Sequence, residues 1–140
     1  MDPIFTEKLI NSYEKLLERE LIDDPSKLFE ADFVCAGHKF ASEPKFAYGN
    51  QKALDLWELD LDKFIGMPSK NTAEEMHQKE REELLNEVRQ KGYIKNYSGI
   101  RISSTGKKFK INNAIVWNVF DENEKLIGQA VKFNDYEYLT

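Results

Sequence analysis

One cysteine and two histidines in 140 residues are too few soft ligands, and too far apart, for a protein-built zinc site at any recognised spacing. Cys35 alone cannot close an internal disulfide, so nothing points to an oxidising compartment. Basic residues are outnumbered. Twenty Lys and Arg against twenty-five Asp and Glu leave a formal charge of -5, which repels phosphate backbones and anionic lipid and makes nucleic acid and membranes poor partners. No apolar run approaches the roughly 20 residues that span a bilayer, and Met1-Asp2-Pro3-Ile4 lacks the basic start and apolar stretch of a signal peptide. The expected location is the cytoplasm. Gly49, Gly66, Gly92, Gly99, Gly106 and Gly128 stand singly, so there is no glycine-rich phosphate loop. Ser103-Ser104-Thr105 offers hydroxyls without a His–carboxylate pair in a nucleophile motif and reads as a turn.

What is present is enough apolar material for one core: hydrophobic residues make up 41%, with nine Phe, six Tyr and two Trp, which offsets the entropy of ordering a chain of this length. Asp2 caps and Pro3 opens a helix in which Ile4, Phe5, Leu9, Ile10, Tyr13, Leu16 and Leu17 recur at helical spacing. This stripe needs a cover, either the chain's own sheet or a second copy, so a homodimer through the helix is one expectation. Asp23-Asp24-Pro25-Ser26 ends it. The expected division is therefore an N-terminal amphipathic helix over residues 1–24 and a single domain over 25–140.

Strands are expected over Phe33–His38 and Lys45–Tyr48, and Asn50 caps a helix that buries Ala53, Leu54, Trp57 and Leu61. Residues 60–68 read as a short helix stopped by Gly66 and Pro68, and Thr72 with Glu75 forms a capping box for a long helix from Ala73 to about Lys91. The second half is β: Tyr93–Ser103, Lys107–Phe120 and Leu126–Phe133. In the middle strand Phe109, Ile111, Asn113, Ile115, Trp117 and Val119 share one parity, so one sheet face is apolar and Asn113 projects a buried amide among apolar neighbours. Ala114, Val116 and Phe120 on the other parity call for cover by the first helix.

Helix, two strands, helices, then a three-strand meander is the order of the PAS fold. The sequence adds residues to the topology. Tyr48-Gly49-Asn50 with Ala53, Leu54 and Trp57, then Leu61-Asp62-Lys63-Phe64-Ile65-Gly66, resembles the PAS pattern of an asparagine, an apolar helix and a short helix ending in glycine. Three stretches resemble the MEKHLA family more closely: Glu43-Pro44 with Phe46 to Glu58, Tyr97 to Ser104 with Gly106, and Ala114 to Asn118 with Gly128-Gln129-Ala130. This family is a PAS-like domain of small bacterial and algal proteins and of plant class III homeodomain–leucine-zipper regulators. The resemblance implies an α+β fold with a PAS-like five-stranded antiparallel sheet, crossover helices and an N-terminal amphipathic helix. It also implies a sensory or protein-interaction role, with a small ligand in the core or a protein partner on the sheet or first helix, and no enzymatic chemistry.

Candidate ligand-binding residues are Phe33, Cys35, Leu54, Trp57, Phe64, His77, Tyr97, Ile111, Asn113, Ile115 and Trp117. His77 sits where some haem-binding PAS domains place an iron ligand, but no second haem feature accompanies it. Cys35 lies outside the asparagine–cysteine–arginine motif of flavin-reactive light sensors and reads as a packing residue. Haem and flavin thus stay open without a motif to support them. Gln129 is one residue out of step with the flavin-contacting glutamine of those sensors, which sends it to the opposite face. Glu80-Arg81-Glu82-Glu83 reads as a solvated charge run. The alternative class is a small α+β cone enzyme of isomerase or dehydratase type using His38, Asp32 and Tyr97; an N-terminal helix hairpin packed in a cone would mark it, whereas helices between the second and third strands mark a PAS domain.

Overall fold

Asp2 takes two backbone N–H groups, of Ile4 and Phe5, on its carboxylate, and from there α1 (Pro3–Leu17) runs until Glu18 enters the left-handed region. The computed structural model describes all residues, 1–140. After a 3-10 turn at Pro25–Lys27 come β1 (Val34–Lys39) and β2 (Lys45–Gly49). They are followed by α2 (Gln51–Trp57), α3 (Leu61–Phe64), a second 3-10 turn at Ser69–Thr72 and α4 (Glu75–Lys91). The chain ends in β3 (Tyr93–Ile102), β4 (Lys108–Phe120), β5 (Leu126–Phe133) and β6 (Asp135–Tyr138). The strands lie in the order β2-β1-β5-β4-β3, all antiparallel, with β6 added to β4 where β5 has ended. The sheet thus has one strand more than expected, and α2, α3 and α4 cross between the second and third strands, the arrangement that marks a PAS domain rather than a cone enzyme.

Asn50 holds the first crossover in place. Its fully buried amide accepts from the backbone of Cys35 and Ala53 through Oδ1 and donates to the carbonyls of Leu28 and Phe33 through Nδ2. One side chain thereby caps α2 and ties it to β1 and to the loop before it. The expected capping box of α4 does not form. Thr72 turns its hydroxyl back onto Ser69 O, the helix starts at Glu75, and the Glu74 carboxylate pairs with Lys108 instead. The 3-10 turn fills the space in which a capping Thr would need extended backbone.

Two apolar layers flank the sheet. On one side α1 buries Phe5, Leu9, Ile10 and Tyr13 against Cys35, Trp117, Val119 and Ala130; on the other, Leu54, Trp57 and Phe64 meet Phe46, Phe109, Ile111, Ala114 and Phe133. The stripe of α1 is therefore covered by the chain's own sheet, and Ile4 is its large apolar residue left facing outward. The expected single parity along β4 is corrected here. Tyr97 pairs with Ala114 and Gly99 with Ile111, so Asn112 and Asn113 together oppose Ser98 alone, a β-bulge with Asn113 at φ 55°. The extra residue reverses the faces: Phe109 and Ile111 before it, and Ala114, Val116 and Asn118 after it, face the crossover helices, while Ile115, Trp117 and Val119 lie beneath α1.

Candidate functional site

The inner face of the sheet does not close completely against α4. A cavity of about 80 Å³ remains there, walled by apolar side chains that include Trp57, Leu84, Ile111, Val116 and Val131. Its polar atoms come from His38 on β1, Gln129 on β5, Ser69 in the 3-10 turn, Arg81 on α4, and Tyr97 and Arg101 on β3.

These polar groups form a directed chain of hydrogen bonds. Gln129 Nε2 donates to Leu85 O and to Asn118 Oδ1, at 2.9 and 3.2 Å, which fixes the amide with Oε1 toward His38 Nε2, 3.2 Å away. That nitrogen must carry the imidazole hydrogen, so Nδ1 accepts from the Ser69 hydroxyl at 2.7 Å, and the hydroxyl oxygen accepts from Arg81 Nη2 at 2.5 Å. At the far end Asn118 Nδ2 donates to Val88 O, which also accepts from the N–H of Gly92, and to Arg89 O, both at the C-terminal end of α4. The cavity is thus wired to the end of α4. Burial, reinforced by the charge of Arg81, holds the His38 imidazole down to about 4, which keeps it neutral near pH 7.

Arg101 and Tyr97 form a second polar corner. Arg101 donates from Nη1 to Ile100 O and from Nη2 to the Tyr97 hydroxyl at 3.0 Å, and that hydroxyl donates to the Glu80 carboxylate. The arrangement exists because Gly99 has no side chain: a Cβ there would lie 2.2 Å from the Tyr97 hydroxyl oxygen and 3.1 Å from Arg101 Nη1. Burial pushes the Tyr97 phenol up and the Arg81 guanidinium down, the latter to about 10, with Arg101 as the second cause of the Arg81 shift.

Of the eleven candidate residues, Trp57, Tyr97 and Ile111 are brought together around this cavity. Leu54 and Phe64 pack in the apolar layer behind it. Cys35, Ile115 and Trp117 lie on the opposite face beneath α1, with Phe33 half-buried beside them; Trp117 donates its indole hydrogen to Leu9 O at 3.1 Å, and burial pushes the Cys35 thiol up to about 12. His77 is half-buried near the start of α4, outside the cavity wall. Asn113 does not project inward: the bulge turns it to solvent, where Nδ2 donates to Asp135 at 2.8 Å. The buried amides within the sheet are Asn118 on β4 and Gln129 on β5 instead. Gln129 faces the cavity, contrary to the expected outward face, because the β1–β5 and β4–β5 pairings place it between His38 and Asn118. Arg81 is likewise no part of a solvated run. It follows Leu84 and Val88 at helical spacing onto the buried stripe of α4, a signal already present in the sequence.

The fold family includes flavin-binding members, but the residues here do not fit a flavin. The cavity is well below the roughly 300–1,000 Å³ of pockets that enclose drug-sized molecules, and Cys35 is separated from it by the sheet.

Comparison with known proteins agrees with this architecture. The PAS domain of a protein from Colwellia psychrerythraea superposes with a TM-score of 0.67 at 12% identity, covering 82% of this chain and 92% of that one. A light-oxygen-voltage domain from a study of a flavin analogue gives 0.64 at 11% identity, over 83% and 84%. An RNA-binding light-oxygen-voltage receptor gives 0.64 at 10% identity, over 81% of this chain and 35% of that one. Among curated proteins, the homeobox-leucine zipper protein ATHB-9 of Arabidopsis thaliana is 29% identical over 91 residues, which are 65% of this chain and 11% of that protein. The chain spans about a tenth of the length of that relative. The profile of the MEKHLA domain matches residues 4–138, and the chain therefore belongs to the MEKHLA domain family, on a PAS fold.

Proposed function

We propose that this chain is a sensory module rather than an enzyme: a small molecule occupies the cavity between α4 and the sheet, and its occupancy changes the affinity of the surface for a protein partner. The observation that carries the reading is the continuous chain of hydrogen bonds from Arg81 through Ser69, His38, Gln129 and Asn118 to the last carbonyls of α4. A ligand that moves Arg81 or Ser69 alters the support of a whole helix and of two central strands. Differential stabilisation of two such arrangements is what a sensor requires.

His38 and Ser69 do not make a catalytic pair in this reading. Burial holds the His38 imidazole down to about 4, which makes it a weak base, and the Ser69 oxygen is engaged by Arg81 Nη2 rather than presented to the cavity as a nucleophile. A partner surface is available on the outward side of α1 and at β6, where Ile4, Tyr136, Tyr138 and Leu139 are exposed. A homodimer through Phe5, Leu9 and Tyr13 would first need α1 to leave the sheet.

Native mass spectrometry of gently purified protein tests the reading, followed by hydrogen exchange with and without the species found. The expected result is a mass-shifted form whose occupancy changes protection in α4. A chain that carries and accepts no small molecule, or binds one with protection unchanged in α4, overturns it.

A further inference from the structure

The groups around the cavity are unbalanced: donors outnumber acceptors. Arg81 and Arg101 are each 7% exposed, and no carboxylate lies within 4.0 Å of either guanidinium. Each guanidinium carries five N–H bonds. Arg81 spends one on Ser69, and Arg101 spends its two on Ile100 O and Tyr97. The indole N–H of Trp57, another residue of the wall, is buried and has no acceptor.

The acceptors that could answer them are committed elsewhere. The Ser69 oxygen already receives Arg81, Gln129 Oε1 receives His38, and the Tyr97 hydroxyl receives Arg101 while donating to Glu80. Two like charges facing one low-dielectric space, with Arg101 the second cause that lowers Arg81, are costly to bury unless a counter-charge enters. A guanidinium is also the side chain whose fork matches a carboxylate in two parallel bonds.

We infer that the ligand of this cavity is a small monocarboxylate, its oxygens held between Arg81 and Arg101 and its short apolar tail against Trp57, Ile111 and Val116. The inference rests on the cavity being a ligand site, as proposed above, and adds the chemical class. Size sets the tail. About 80 Å³ is well below the roughly 300–1,000 Å³ of pockets for drug-sized molecules, so a carboxylate on a short aliphatic tail suits it and a sugar, nucleotide or aromatic acid does not. The apolar wall selects against inorganic phosphate and sulfate, whose remaining oxygens would meet Ile111 and Val116 without donors.

Calorimetric titration of the purified chain at constant ionic strength, with acetate, propionate, butyrate, inorganic phosphate and the neutral isostere butyramide, tests this. The expected result is binding of a carboxylate that strengthens with tail length until the cavity is full, with no detectable binding of butyramide. Arg81→Gln and Arg101→Gln should each weaken it by about tenfold or more. Their melting temperatures without ligand should not fall, because each removes a buried charge that lacks a counter-ion; a large fall in both with carboxylate affinity retained would show structural arginines and overturn the inference. The wild-type series stands even if a variant fails to fold. Butyramide binding as tightly as butyrate, or phosphate outcompeting every carboxylate, overturns the assignment of class while leaving a ligand-binding cavity. No binding by any of the five, with native mass spectrometry also empty, removes both.

Discussion

Ser69 donates its hydroxyl hydrogen to Nδ1 of His38 at 2.7 Å, and that bond exists only while the imidazole is neutral. Burial first and then the charge of Arg81, with a minor contribution from Arg89, bring His38 down to about 4 from an ordinary 6.5, against the opposing hydrogen bond of Gln129. Between those two values the unfolded chain binds a proton that the folded chain refuses. The stabilisation is therefore complete above about pH 6.5 and is lost as pH falls toward 4. Between about pH 7 and pH 5 the loss should be of the order of 2 kcal/mol. Urea denaturation of wild type and His38→Gln at both values reads it, and the variant should show little of that pH dependence. Equal losses in the two proteins would mean that the protons are taken up elsewhere.

Gly128 lies where β5 crosses closest to β1 and α1. A Cβ there would sit 2.2 Å from the carbonyl oxygen of His38 and 3.0 Å from the ring of Phe5. The first contact is with backbone, which cannot rotate away as a side chain can, so β1 and β5 must separate locally. Gly128→Ala should cost about 3 kcal/mol or more, at the upper end for a single methyl group. Gly106→Ala is the comparison: its Cβ would meet nothing within 4 Å, though its φ of +91° still disfavours a side chain, so its cost should stay near 1 kcal/mol. A reversed order in denaturation midpoints would contradict the packing described for the β1–β5 pair.

These positions also show what the sequence could and could not reveal. Caps and periodicity are local, so Asn50 at the start of α2, Asp2 at the start of α1 and the boundaries of β5 follow from neighbouring residues alone. Facing is not local once a strand carries an extra residue. The alternation from Phe109 to Val119 looks unbroken, yet the bulge at Asn112 and Asn113 shifts its second half by one position and with it the faces of Ile115 and Trp117. An asparagine pair in a strand is a weak sign of such a bulge, because Asn tolerates the left-handed conformation that Asn113 adopts. Arg81 was legible by phase with Leu84 and Val88 but hidden by three acidic neighbours in sequence. Ser69 and His38 meet across 31 residues, a separation that no local pattern records.

The side chain of Asn50 needs both ends of its amide. Oδ1 accepts from two backbone N–H groups and Nδ2 donates to two carbonyls, all buried or nearly so. Asn50→Ala removes all four bonds; Leu28 O keeps the N–H of Ala31, and the other three losses should together cost about 3 kcal/mol at about 1 kcal/mol each. Asn50→Asp keeps the accepting oxygen but points a second one at the carbonyls of Leu28 and Phe33, so near pH 7 it should be at least as damaging as Ala. Chemical denaturation of the two variants separates the roles. An Asp variant near wild-type stability would show that donation to the loop contributes nothing.

Cys35 gives a reporter for the docking of α1. Its thiol is fully buried in the layer that holds Leu9, Tyr13 and Trp117, and burial pushes it up to about 12, so both access and ionisation oppose alkylation. In the folded protein it should react with a thiol reagent orders of magnitude more slowly than in urea, at a rate set by opening of the structure. Leu9→Ala removes contacts from the centre of the α1 layer and should lower stability by about 2–5 kcal/mol. If α1 undocks as a unit before the sheet unfolds, labelling of Cys35 in this variant should accelerate while hydrogen exchange in β4 stays slow. Should the two accelerate together, α1 and the sheet form one cooperative unit, and any signal carried by release of the helix would require the whole domain to open.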